Sequence, residues 1–220
     1  MANAWMPGAG RVRSRAQGGG VYQGGAPRAV WLTTESDPFA LSARSVAQRL
    51  DSDGHSAHLV WNPVTGETAQ LLPATVPALG QLGTHGTDRA REGRVCIVIR
   101  VIGHALSPFT DGPLTGLAPL LDWLDGWQVP RRWPGGAPLA VTPPHPAGGE
   151  RAWARGGHFG HSQVPGSHSA GPGAISPERL LGVAVLAPRQ QHTVPVAAPP
   201  PPRRGPATNG ERPYAQLSGS

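Results

Sequence analysis

Apolar residues along this chain gather into short runs, separated by long stretches of glycine, proline and polar residues. Residues 29–34 (AVWLTT) are short and rich in β-formers, as a buried strand would be. Asp37-Pro38 then offers an N-cap followed by proline at a first helical position. Phe39, Ala43, Val46, Ala47 and Leu50 recur on one side at helical spacing, which predicts a helix over 39–50. Residues 57–61 (AHLVW) and 67–72 flank Asn62-Pro63-Val64-Thr65-Gly66, a turn whose proline and glycine suit a hairpin. Residues 73–93 carry few large apolar side chains and predict a loop. The run 94–102 (RVCIVIRVI) is apolar on both faces except at Arg100, which predicts a central strand covered on both sides. Arg100 shares a face with Cys96 and Val98, where an unpaired charge is costly, so it must reach a cleft or a carboxylate. After Pro113, Leu114, Leu117, Leu120, Leu121, Leu124 and Trp127 form a stripe that predicts a second, core-packed helix. Residues 129–157 read as a loop, and 179–186 as a last short element. Strands and helices thus interleave over 28–187, which predicts an α/β domain with a mixed central β-sheet flanked by helices.

Composition sets the ends apart. The chain holds 31 Gly and 26 Pro, about a quarter of its residues, and is 38% hydrophobic, so its core must be concentrated. Residues 1–27 read as a flexible Gly/Arg-rich arm, and 188–220 as a Pro-rich disordered tail of the kind that links to another module. The single Cys96 excludes a disulfide scaffold, and no apolar run approaches the length of a membrane span. No export signal is legible, which predicts a cytoplasmic protein, directed to a cell wall only if released. All 19 basic residues are arginine, a bias that fits GC-rich coding. The formal charge of +6 gives a general attraction to anionic polymers and names no partner. Nucleic acid is not favoured, because the arginines lack regularly interleaved aromatics.

Few templates for chemistry survive inspection. A phosphate-binding G-x-x-x-x-G-K-[ST] is ruled out by the absence of lysine, and there is no G-x-S-x-G elbow. Cys96 lies mid-strand and reads as a small core residue. Nine histidines raise the possibility of a metal, with His158, His161 and His168 clustered, but no nearby Asp or Cys completes a set.

The segment 157–166 (GHFGHSQVPG), followed by 171–175 (GPGAI), resembles the zinc-site segment of N-acetylmuramoyl-L-alanine amidases, the family shared by phage endolysins and peptidoglycan recognition proteins. In order along the chain, 27–36 (PRAVWLTTES), 56–61 (SAHLVW), 94–103 (RVCIVIRVIG) and 120–130 (LLDWLDGWQVP) resemble that family's strands and packed helix. The resemblance implies a catalytic zinc held by two His and an Asp or Cys, with a water that attacks the amide between muramic acid and L-alanine. It implies His161 as one ligand, Glu35 as a candidate catalytic residue, and Thr34, His58 and His158 as substrate-binding positions. Leu32 and Gly171 stand at the other two ligand positions, and Arg100 replaces a customary strand glutamate. Three readings follow. One is a degenerate amidase-like domain that binds peptidoglycan or muropeptide fragments with its hydrolysis lost or impaired. The second is an active zinc amidase with relocated ligands, and the third a basic nucleic-acid-binding or scaffold protein.

Overall fold

In the computed structural model, which describes residues 2–15, 19–84, 87–139, 149–169 and 171–182, the strand-forming runs build one mixed sheet. In chain order the elements are β1 (Gly10–Arg11), β2 (Arg28–Thr33), α1 (Ala43–Ser52), β3 (Leu59–Trp61), β4 (Thr68–Gln70), β5 (Gly83–Thr84), β6 (Thr87–Asp88), β7 (Cys96–Val101), α2 (Leu117–Gly126), α3 (Gly149–Arg155), β8 (Gly157–Gly160) and α4 (Pro177–Leu181). Six strands run in the order β1-β4-β3-β7-β2-β8, and β5 and β6 pair by themselves. All neighbours in the six-stranded sheet are parallel except the β3–β4 hairpin. The mixed sheet with flanking helices is the predicted architecture.

The central strands are buried on both faces, as their unbroken apolar runs require. On one face Trp31, Trp61, Ile97 and Ile99 pack against Leu120, Leu121 and Leu124 of α2 and Leu180 and Leu181 of α4. On the other face two clusters form. Val30, Leu32, Cys96 and Val98 meet Trp153 of α3 and Phe159 of β8. Val60, Ala69 and Ile102 meet Ala43, Val46 and Ala47 of α1. Arg100 lies on this second face, between the two clusters. Each fully buried large side chain is worth roughly 1.5–3 kcal/mol, so these layers dominate the fold's stability.

The hairpin forms where its turn residues predict. Asn62 Oδ1 accepts from the amides of Val64 and Thr65, and Gly66 takes a φ of 79° that favours glycine. The first helix begins later than 39. Asp37 holds a turn through the Phe39 amide (2.9 Å), and Ser42 caps α1 by accepting from the Ser45 amide (3.0 Å). Glu67 accepts from the Ala43 and Arg44 amides, so a carboxylate from the hairpin fixes the helix start. Phe39 is consequently left outside the helix and exposed. The stretch 129–157, expected as loop, contains α3, and the short β8 follows it on the sheet's edge.

At the other edge the structure adds a strand within 1–27. β1 pairs with β4, Met6 and Val12 are buried, and the Met6 amide donates to Gln70 Oε1 (2.6 Å). Part of the last predicted element, 183–186, and the tail 188–220 lie outside the described residues. No described helix is long and apolar enough to cross a membrane.

Candidate functional site

The carboxyl ends of β2, β7 and β8 bring the residues named by the resemblance into one neighbourhood. Register places Leu32 beside Arg100, and Arg100 beside Val60, in a row across the sheet. On the other side of β2, Trp31 pairs with Gly160, so the chain leaves β8 into a 3-10 turn, His161–Gln163, alongside Leu32. The Ser162 amide donates to the Gly171 carbonyl (2.9 Å), and a Cβ on Gly171 would lie 2.9 Å from Thr33 Oγ1. Positions 32, 161 and 171 therefore converge.

Their chemistry does not make a metal site. Leucine and glycine offer no side-chain donor, and His161 is the one residue of the three that does. Among the described residues, no group of three or more His, Cys, Asp or Glu could hold a metal ion. Beside them stands a guanidinium. Arg100 Nη2 donates to Gln81 Oε1, while its Nε is buried without a partner among the described residues. Burial, and secondarily the charge of Arg100, pushes the His161 imidazole down to about 4, so it is neutral at pH 7. A cation would meet that same repulsion. The residues present do not fit zinc.

The turn carrying His161 is held by Gln163. Its Oε1 accepts from the Gly160 amide (3.1 Å) and Trp133 Nε1 (2.6 Å), and its Nε2 donates to the Gly136 carbonyl (2.8 Å). Gly173, at φ 75°, lies so close to the loop after β7 that a Cβ would sit 1.8 Å from the Ala105 carbonyl oxygen.

Glu35 takes a left-handed φ of 52° at the end of β2. Its carboxylate accepts from Thr33 Oγ1 (2.6 Å) and the Ala105 amide (3.0 Å) and lies 3.7 Å from His104 Nδ1. It thus ties β2 to the loop after β7 at a half-exposed rim. The Thr34 amide donates to the Val101 carbonyl (3.0 Å), and its Oγ1 is buried without a partner.

His58 and His158 are both fully buried. His58 Nδ1 accepts from the Val98 amide (2.9 Å) and its Nε2 donates to the Val76 carbonyl (2.9 Å), so the ring bridges β7 to the loop after β4. Burial pushes its pKa down to about 4. His158 lies on the opposite face from Arg100, pairing in register with Ala29. Its ring stacks on Trp31 and Trp133, at 5.9 and 6.3 Å between centroids, and Nδ1 accepts from Trp31 Nε1 (3.1 Å). Burial, then the charge of Arg131, pushes His158 down to about 3. Both His58 nitrogens are engaged, while His158 Nε2 is buried and finds no partner among the described residues. His168 is exposed. Sequence reasoning missed Gln81 and the role of Gln163. Nothing in a lone glutamine in a loop announces its partner, although the demand at Arg100 was legible.

No family model and no curated protein matches the sequence. Solved structures resemble it in backbone path. An endolysin N-acetylmuramoyl-L-alanine amidase of Clostridium intestinale URNW is 14% identical, with 82% of this chain and 99% of that one covered at a TM-score of 0.47. An endolysin of the Thermus scotoductus bacteriophage Ph2119 is 14% identical, with 74% and 87% covered at 0.43. The Staphylococcus aureus hydrolase AmiA is 12% identical, with 76% and 73% covered at 0.44.

Proposed function

We propose that this chain is an amidase-like domain that binds peptidoglycan or muropeptide fragments and does not hydrolyse them through zinc. One observation carries the reading. Positions 32, 161 and 171 converge at the carboxyl end of the sheet, as a three-ligand site needs, yet hold Leu, His and Gly beside the Arg100 guanidinium. A lone neutral imidazole next to a fixed positive charge is a poor zinc site, because zinc centres require three or four donors. Relocation of the ligands finds no support in the neighbouring histidines. His58 has both ring nitrogens engaged, and His158 lies across the sheet. The segment GHSQVPG and the order of the strands support the link to peptidoglycan.

The test is sedimentation with purified peptidoglycan, paired with analysis of released stem peptides in the presence of added zinc. Retention on the wall without peptide release is the expected result. Peptide release abolished by chelator and by His161→Ala would replace this reading with that of an active enzyme. Absence from the wall pellet would remove the binding half.

A further inference from the structure

Arg100 occupies a sheet position where its charge demands an answer. Leu32 and Val60 flank it in register. Its protein partner is the neutral amide of Gln81, and none of the ion pairs among the described residues involves it. Burial lowers its pKa and is the sole cause of that shift, so no carboxylate offsets it. Nor can much of the remaining chain supply one. Outside the described residues the sequence contains a single acidic side chain, Glu211. Two unpaired groups share this face of the sheet. Arg100 Nε is buried and finds no partner among the described residues, and neither does the buried hydroxyl of Thr34, the residue that follows β2. Arg100 itself remains partly exposed, so solvent species reach it.

We propose that Arg100 and Thr34 form a binding site for an oxyanion, the carboxylate or tetrahedral oxyanion group of a ligand, at the carboxyl end of β2 and β7. A guanidinium presents planar, directed N–H donors that match an oxyanion, and a hydroxyl adds another. The bound anion neutralises the buried charge and satisfies donors that the protein leaves open. The site uses the guanidinium that stands beside the metal position, and it selects the opposite sign of charge. It does not depend on the wall-binding reading. Oxyanion binding without wall retention would leave this inference standing and refute the other.

The experiment compares thermal unfolding of the wild-type chain and Arg100→Met in chloride, sulfate and acetate at matched ionic strength. An oxyanion at ten times its dissociation constant raises the wild-type Tm by roughly 3–6 °C. The same salt leaves Arg100→Met at its chloride value, which removes the general effect of sulfate on folded proteins. A response to sulfate identifies a tetrahedral oxyanion as the preferred group, and a response to acetate a carboxylate. In chloride alone, Arg100→Met folds and is at least as stable as wild type, since an apolar side chain of similar length replaces an uncompensated charge. Equal shifts in both proteins, no shift in either, or an Arg100→Met chain that fails to fold would overturn the proposal. The last outcome would mean that the protein already answers the charge.

Discussion

Acidification should unfold this protein through two histidines that no solvent reaches. His58 and His158 hold pKa values of about 4 and about 3 in the folded state, against about 6.5 in an unfolded chain. A depressed histidine pKa means that the folded state keeps the ring neutral while the unfolded state binds a proton. Their contribution is therefore fully present above pH 6.5 and is lost as pH falls from there toward the folded values. Each group costs about 1.4 kcal/mol per pH unit within that window. The pair thus removes about 3 kcal/mol per unit, and about 4 kcal/mol between pH 7 and pH 5. That is a large share of the roughly 5–15 kcal/mol of a typical domain. His161, also depressed, acts in the same direction.

The structure explains why neither ring can accept the proton cheaply. His58 Nδ1 already accepts from the Val98 amide, so protonation there would set two donors against each other inside the sheet. His158 Nδ1 is likewise occupied by the Trp31 indole, and its Nε2 finds no partner among the described residues. The assay is urea unfolding from pH 7.5 to 4.5, with the free energy plotted against pH. His158→Phe keeps a ring between Trp31 and Trp133 and should lower the slope between pH 6 and 5 by about a third, since His58 and His161 still take up protons on unfolding. A wild-type slope near zero in that window would refute the reasoning. So would a full slope in His158→Phe, because the protons would then be entering elsewhere.

Two further outcomes follow from the site. Leu32→His with Gly171→Asp restores the donor types that the resemblance assigns. With Arg100 retained, zinc measured by atomic absorption should stay near zero, and adding Arg100→Leu should raise it by roughly fivefold or more, since a nearby unit charge at the protein surface or interior costs about 1 kcal/mol or more. Gln163→Leu leaves the Gly160 amide, Trp133 Nε1 and the Gly136 carbonyl without their partner, and should cost about 2–4 kcal/mol in urea unfolding.

What the sequence revealed depended on how its elements are buried. β2 and β7 were legible because strands covered on both faces must be apolar throughout, and few other segments of this Gly- and Pro-rich chain are. The stripe of α2 was legible for a related reason, since one helical face meets the sheet. β8 was hidden because two of its four residues are glycine, and its place comes from pairing with β2 rather than from any propensity. β1 was hidden because two residues carry no period. Distant groups fix its approach, including Gln70 Oε1 on the Met6 amide and Trp123 Nε1 on the Asn3 carbonyl. The start of α1 was misplaced because Asp37-Pro38 and Ser42 both offer capping chemistry, and the choice was made by Glu67, more than twenty residues away. At the candidate site, the convergence of 32, 161 and 171 followed from a resemblance, while the burial of His58 and His158 required the fold.

The residues at the three converging positions are consistent with one another. A histidine at 32 holding a divalent cation would place two positive centres beside each other in neighbouring strands, with little solvent to screen them. Leucine at 32, paired in register with Arg100, brings no such second charge. Glycine at 171 leaves room next to Thr33 Oγ1, whose hydrogen bond to Glu35 (2.6 Å) a larger residue would disturb. Glu35 in turn accepts from the Ala105 amide in the loop that closes over Gly173. Leu32, Gly171 and Arg100 are therefore compatible with one another through contacts of this chain. With Arg100 uncompensated by any carboxylate among the described ion pairs, a ligand drawn to this end of the sheet should carry negative charge.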